Sequence, residues 1–273
     1  MKTPIDTPTL TLFESALFRT VTTLIVGDDH LLLVDPNWLP GEIDLIARRV
    51  DSYAAGRQCY LLFTHSDYDH IIGYGRFAEF TTIASEAFVS NPERAGVLEQ
   101  IAAFDDEYYI SRDYPISYPT IALPVAGDGT GLRLGQDDYV FYQAPGHNRD
   151  GLLTFDRRRG LLIVGDYLSN IEFPYVYHSF ADYRLTLAKL QQLIDTEDVR
   201  WLISGHGDAT TDRTEMQRRI DDSHAYLDGL EQSVRRNTPY DFDRLMQRYA
   251  FPGIMRKFHE ANVKLLRQEL PTA

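Results

Sequence analysis

Leu61-Leu62-Phe63-Thr64-His65-Ser66-Asp67-Tyr68-Asp69-His70 begins as an apolar run and ends as a cluster of metal-binding side chains. The run suits a buried strand. Two imidazoles (His65, His70) and two carboxylates (Asp67, Asp69) then crowd into the residues after Thr64. Strand geometry sends residues i, i+2 and i+4 to one side. A strand continuing past Thr64 therefore aims His65, Asp67 and Asp69 together, with His70 turning in as a helix begins. The competing reading is a polar turn with two surface histidines. Gly, Pro and Asn, the usual turn formers, are absent from the stretch, which favours the ligand cluster.

The same pattern recurs downstream. Tyr139 to Gln143 runs into Ala144-Pro145-Gly146-His147, Leu161 to Val164 into Gly165-Asp166-Tyr167, and Val199 to Ile203 into Ser204-Gly205-His206-Gly207. A lone histidine after a strand is ordinarily structural. Four apolar strands each ending in a donor suggest donors gathered at one sheet edge, and the glycines there permit tight turns and close approach.

Around these, Thr9 to Phe13, Ala16 to Val26, Leu31 to Val34 and Thr81 to Ala84 read as strands, and Gly41 to Ala55 and Gly73 to Phe77 as helices. This alternation predicts a sheet with helices on its outer face. Pro92 to Phe104 reads as helical and leads into a Tyr- and Pro-rich loop through Thr120, either a lid or a surface excursion. Ile121 to Pro124, Leu132 to Leu134 and Gly151 to Phe155 read as further strands. Ala181 to Ile194, Asp212 to Arg235 and Tyr240 to Leu270 read as helices, the last broken at Pro252-Gly253.

Composition narrows the function classes. The chain has 273 residues, 44% of them apolar, enough for a large core, and a formal net charge of -13. That charge repels polyanions and argues against nucleic-acid partners. The single cysteine, Cys59, allows no internal disulfide and reads as an inert core thiol. The first twelve residues lack a signal-peptide pattern and no apolar run is long enough to span a membrane, so a cytoplasmic protein is expected.

His-x-Asp-x-Asp-His, then Pro-Gly-His, Gly-Asp and Gly-His-Gly resemble, in order and spacing, the metallo-β-lactamase superfamily. The resemblance covers roughly residues 10 to 236 and departs from the family at Asp67, where a second histidine is usual. It implies an α/β (α+β) fold, a four-layer αββα sandwich of two mixed sheets flanked by helices. The domain expectation is a core over 1–236 with a C-terminal helical appendage, 237–273, packed on it. The resemblance further implies two divalent ions, one held by His65, Asp67 and His147, the other by Asp69, His70 and His206, with Asp166 bridging. Asp35 would buttress the site without binding an ion.

Zinc is the expected metal. Asp67 makes the first site harder and opens it to Mn or Fe; the flavodiiron branch of the family carries an acid there too, but no flavodoxin domain is present here. The implied activity is hydrolysis, with a metal-bridged hydroxide attacking an ester, lactone, thioester or phosphoester of a small molecule. Asp69 is the candidate proton shuttle, and Tyr167 and His178 are candidate substrate contacts. Two alternatives stay open: a di-iron oxidoreductase and a non-catalytic metal-binding protein. Arg149 and Asp150 read as a surface pair, and His30, His224 and His259 as surface or capping residues. Oligomeric state and substrate identity are not legible.

Overall fold

The computed structural model describes residues 1–270, so the end of the expected 237–273 appendage lies outside the described residues. The chain first lays down β1 (Lys2–Asp6), β2 (Leu10–Glu14), β3 (Val21–Val26) and β4 (His30–Val34). It continues with α1 (Pro40–Ala54), β5 (Gln58–Leu62), α2 (Tyr68–Ile71), β6 (Thr81–Ser85), α3 (Glu86–Val89), α4 (Arg94–Glu107) and β7 (Leu123–Val125). These strands form one sheet in sequential order, antiparallel from β1 to β4 and parallel from β4 to β7.

The second half adds β8 (Thr130–Leu134), β9 (Asp137–Gln143), β10 (Leu152–Asp156), β11 (Leu161–Ile163), α5 (Phe180–Thr196), β12 (Trp201–Ile203), α6 (Arg213–Arg236), α7 (Phe242–Leu245) and α8 (Pro252–Glu269). Its sheet runs β12-β11-β10-β9-β8, with only the β11–β12 pair parallel. No helix among the described residues is long and apolar enough to cross a membrane.

Alternation along the strands sorts side chains into three cores, and that makes the four layers. Leu31, Leu33, Leu61 and Phe63 face α1 and α4 on the outside of the first sheet. Leu32, Val34 and Leu62 face inward, where they meet Phe141, Leu161, Ile163 and Ile203 of the second sheet. Leu153, Leu162 and Leu202 face outward again, against α5, α6 and α8. Strands buried on both faces read as unbroken apolar runs, which is why they are visible in the sequence. The architecture is the expected mixed α/β sandwich of two mixed sheets.

Several local expectations change. β1 leaves no apolar signature because it is an exposed edge strand carrying Pro4. The strand before the ligand cluster stops at Leu62, and α2 begins directly after Asp67, its N-cap. A helical turn, rather than continued strand, thus carries Asp69 and His70. Pro252 does not break a helix; it opens α8 at a first-turn position, where its missing N–H costs nothing.

The Tyr-rich segment after α4 is tied down. Arg112 donates to both carboxylate oxygens of Asp105 at 2.8 Å and to the Trp38 carbonyl at 2.9 Å. His30 is wholly buried against the Tyr139 hydroxyl, and His259 is buried beside Tyr226. Neither is the surface or capping residue expected. Asp150 is also buried, accepting from Ser66 N–H and Asn91 Nδ2, while Arg149 is exposed, so they form no surface pair.

The helices after residue 236 reach the edge where the donors lie. Asn262 of α8 donates to the Pro174 carbonyl at 2.7 Å and accepts from Val176 N–H at 2.9 Å, fixing the backbone on both sides of Tyr175.

Candidate metal centre

Four connections leave the same edge of the sandwich and bring the seven donors together. They form two groups, His65, Asp67, His147 and Asp166 in one, and Asp69, His70 and His206 in the other. Asp166 touches both. Its Oδ2 lies 3.7 Å from His65 Nε2, 3.4 Å from His147 Nε2 and 3.2 Å from His206 Nε2, while its Oδ1 lies 3.2 Å from His70 Nε2. Asp67 Oδ2 approaches His65 Nε2 at 3.6 Å and His147 Nε2 at 3.2 Å; Asp69 Oδ2 approaches His70 at 3.7 Å and His206 at 3.6 Å.

Glycine makes this convergence possible. A Cβ on Gly205 would lie 2.3 Å from Asp166 Oδ1 and 2.9 Å from His70 Cε1. Gly146, just before His147, has φ +132° and packs against the Tyr183 backbone.

The imidazoles are pre-set as ligands. Each uses Nδ1 outward and leaves Nε2 in the cluster. His147 Nδ1 donates to the Tyr175 carbonyl at 2.6 Å, and His206 Nδ1 to the Phe18 carbonyl at 2.9 Å. A carbonyl can only accept, so a proton sits on Nδ1 and Nε2 is the atom left to bind an ion. His70 Nδ1 donates to Asp35 Oδ2 at 2.9 Å. Thr64 gives its hydroxyl proton to Asp35, so its oxygen is free to accept from His65 Nδ1 at 2.9 Å.

Buried polar atoms ordinarily have partners. Here His65 Nε2, His70 Nε2 and Asp166 Oδ1 are buried with none. Donors on a tetrahedral ion with bonds of about 2.05 Å sit roughly 3.3 Å apart, close to the observed separations. The residues fit two divalent cations.

Asp67, the departure from the family pattern, is held for this role. One oxygen lies in the cluster and Asn148 Nδ2 donates to the other at 3.2 Å. Burial opposes its ionisation, but the charges of His65 and His147 hold the carboxyl far below its usual range. Asp166 is likewise depressed, burial being outweighed by His206, His70 and His65.

The imidazoles shift the other way. Burial lowers His147, yet the Asp67 hydrogen bond and the Asp166 charge push it up to about 9. Burial lowers His206, yet Asp166 and Glu172 push it up to about 10. His70 is also raised well above its ordinary value, Asp166, Asp69 and Asp35 outweighing burial. Below those values His147 and His206 favour a second proton in the metal-free protein. Ion uptake at pH 7.5 is therefore expected to expel protons, and affinity to climb with pH until about 9 to 10. Calorimetric titration with Mn2+ in two buffers of different ionisation enthalpy is expected to read roughly two protons released per chain. Release near zero would mean that the rings are already neutral.

Tyr167 and His178 do not contact the cavity over the donors. Tyr167 is buried, its hydroxyl accepting from His147 N–H at 3.0 Å and donating to the Pro145 carbonyl at 2.9 Å. It holds the turn that carries His147. His178 is exposed, its ring 3.5 Å from Asp182 at the start of α5 and facing a neighbouring groove. The cavity, about 120 Å3, is lined instead by Asp67, Asp69, Glu172 and a set of aromatic side chains that includes Tyr68, Tyr175 and Phe258. Glu172 and the carbonyls of Phe18 and Tyr175 escape sequence reading, since an acid in a loop and a backbone oxygen leave no pattern.

The comparisons with known proteins bear on the same segment. A search of curated proteins finds no match. Among solved structures, a metallo-beta-lactamase family protein from Thermus thermophilus is 20% identical, with TM-score 0.62 over 98% of this chain and 92% of that one. The metallo-beta-lactamase superfamily protein from the archaeon Sulfolobus tokodaii is 13% identical, with TM-score 0.56 over 96% and 98%. The stereoselective inverting sec-alkylsulfatase Pisa1 from Pseudomonas sp. is 13% identical, with TM-score 0.67 over 97% of this chain and 49% of that one. At these identities the likeness speaks for the fold alone. The sequence model that matches residues 16–206 ends at His206 and spans every donor described above, and by that match the chain belongs to the metallo-beta-lactamase superfamily.

Proposed function

We propose that this protein is a dinuclear metal-dependent hydrolase acting on an ester, lactone, thioester or phosphoester of a small molecule. The observation that carries the reading is Asp166, shared between two donor triads whose imidazole Nε2 atoms all turn inward. Divalent ions held there, zinc first and Mn or Fe as alternatives, would polarise a carbonyl or phosphoryl oxygen and lower the pKa of water at the site.

The rest is supplied by the chain. Asp69 lies at the cavity floor with one carboxylate oxygen among the imidazoles, placed to hold a proton from water and pass it to a leaving group. Outer hydrogen bonds from Asp35, Thr64, Tyr175 and Phe18 keep the four rings from turning, so the donors need no reorganisation during the reaction. Tyr175 and Phe258, stacked with centroids 4.1 Å apart, wall one side of the cavity.

Asp67 favours one second reading. An oxygen donor where the family has nitrogen suits a harder ion, and with iron the site fits an oxidoreductase. Elemental analysis of protein purified without chelators, followed by an ester, lactone, thioester and phosphoester panel, decides. About two Zn or Mn per chain with turnover of one panel class is the expected result. Two Fe with redox activity and no hydrolysis would replace this reading by the second.

A further inference from the structure

The cavity over the donors has an unusual charge balance. Among the described residues no Lys or Arg lines it, whereas Asp67, Asp69, Asp166 and Glu172 all do. With two divalent ions bound, four carboxylates balance them. An anionic substrate therefore meets no net positive charge and none of the guanidinium or ammonium groups by which proteins usually hold anions.

Glu172 stands apart from the other three. It is no member of either donor group, and its carboxylate has no hydrogen bond or ion pair among the described residues. Only its backbone N–H is engaged, donating to Ser169 Oγ. Its carboxylate lines the cavity, so a cation entering there would meet a negative charge not claimed by an ion pair.

The remaining wall is aromatic. Tyr175 lies between Phe258, 4.1 Å away centroid to centroid, and Tyr177, 4.2 Å away; Tyr177 in turn meets the His147 ring at 5.2 Å. Aromatic faces beside a carboxylate, with no competing basic residue, are the surroundings that stabilise a substituted ammonium through cation–π attraction and charge. The chain's net charge of -13 draws cations toward it as well.

We infer that the substrate carries a substituted ammonium group, held between Glu172 and the aromatic wall of Tyr175, Tyr177 and Phe258 while its scissile bond faces the donors. The inference deepens the metallohydrolase reading and rests on it for the bond broken, but recognition can be measured without turnover. The probes are choline, its neutral isostere 3,3-dimethylbutan-1-ol and the anion 2-hydroxyethanesulfonate, titrated into metal-loaded protein by saturation-transfer NMR.

Choline is expected to bind at least about tenfold more tightly than either of the others. Glu172→Gln should cost choline about tenfold and leave the neutral alcohol within about twofold. Metal content and melting temperature, read on the same samples, identify a variant that has failed to fold. Tyr177→Leu, at a half-exposed position, is the second variant and should weaken choline about threefold.

Equal or tighter binding of the sulfonate, unchanged choline affinity in Glu172→Gln, or a choline dissociation constant weaker than about 10 mM would each overturn the inference. Any of these alongside hydrolysis of a panel substrate leaves the hydrolase standing. Choline preference in a protein that hydrolyses nothing does the reverse.

Discussion

Asp166→Ala is expected to empty both donor groups together, taking metal content from about two ions per chain to a small fraction of one and abolishing turnover. The reason is position. Among the described residues, its two oxygens between them come within 3.7 Å of the Nε2 atoms of all four imidazoles. Without it, four ring nitrogens converge with Asp67 and Asp69 left as the carboxylate ligands for two dications, and each triad loses a donor. Changing a residue that merely orients a ligand costs about 10- to 100-fold in affinity; losing a shared ligand should exceed that at both sites. Asp166→Asn keeps the shape and removes the charge, separating a folding failure from loss of coordination. Melting temperature with and without chelator gives the readout: the wild type should fall on chelation, since ions bind the native state alone, and the variants should not move. A variant that keeps two ions and the chelator shift would remove Asp166 from its shared role.

Asp35→Ala should produce the second largest effect, although Asp35 touches neither the cavity nor an inward-facing donor atom. It accepts from Thr64 N–H at 2.9 Å, from the Thr64 hydroxyl and from His70 Nδ1 at 2.9 Å, and it is buried with φ +47°. Removing it strands three buried donors. The expected loss is about 3–5 kcal/mol of stability, together with a roughly 10- to 100-fold weaker site at His70, whose tautomer is no longer fixed. Denaturant unfolding of the chelated protein measures the first part and competition with a metal indicator the second. Asp35→Asn should recover part of the stability, because Oδ1 can still accept from Thr64 N–H. If Asp35→Ala unfolds like the wild type, the buttress is not structural.

The donors were legible because each is a side chain at the end of an apolar run, and both-face burial makes such runs unmistakable. Leu31 to Val34 and Leu161 to Ile163 show the rule: alternate residues enter different cores, yet all are apolar. The path between donors was less legible. Continued strand geometry past Thr64 aimed Asp69 with His65 and Asp67, because local periodicity could not reveal the one-turn helix that carries it; the family resemblance placed Asp69 with His70 and His206, where the structure has it. His30 and His259 looked like surface or capping residues since an isolated histidine carries no sign of the tyrosine that meets it. Arg149-Asp150 looked like an ion pair by adjacency, whereas Asp150 turns inward to Ser66 and Asn91. Two of the four contacts that aim the imidazoles come from backbone carbonyls, at Phe18 and Tyr175, which any residue type could supply.

Asn262 gives the centre an order of assembly. On a ribosome, all seven donors emerge by residue 206, but the side chain that braces the backbone beside Tyr175, and so the carbonyl aiming His147, follows more than fifty residues later. Ile254 and Phe258, which close one side of the cavity, arrive with it. A nascent chain complete through α6 thus carries every donor while the wall beside them is still missing, so the capacity to capture ions and the shaping of the cavity belong to different moments of synthesis.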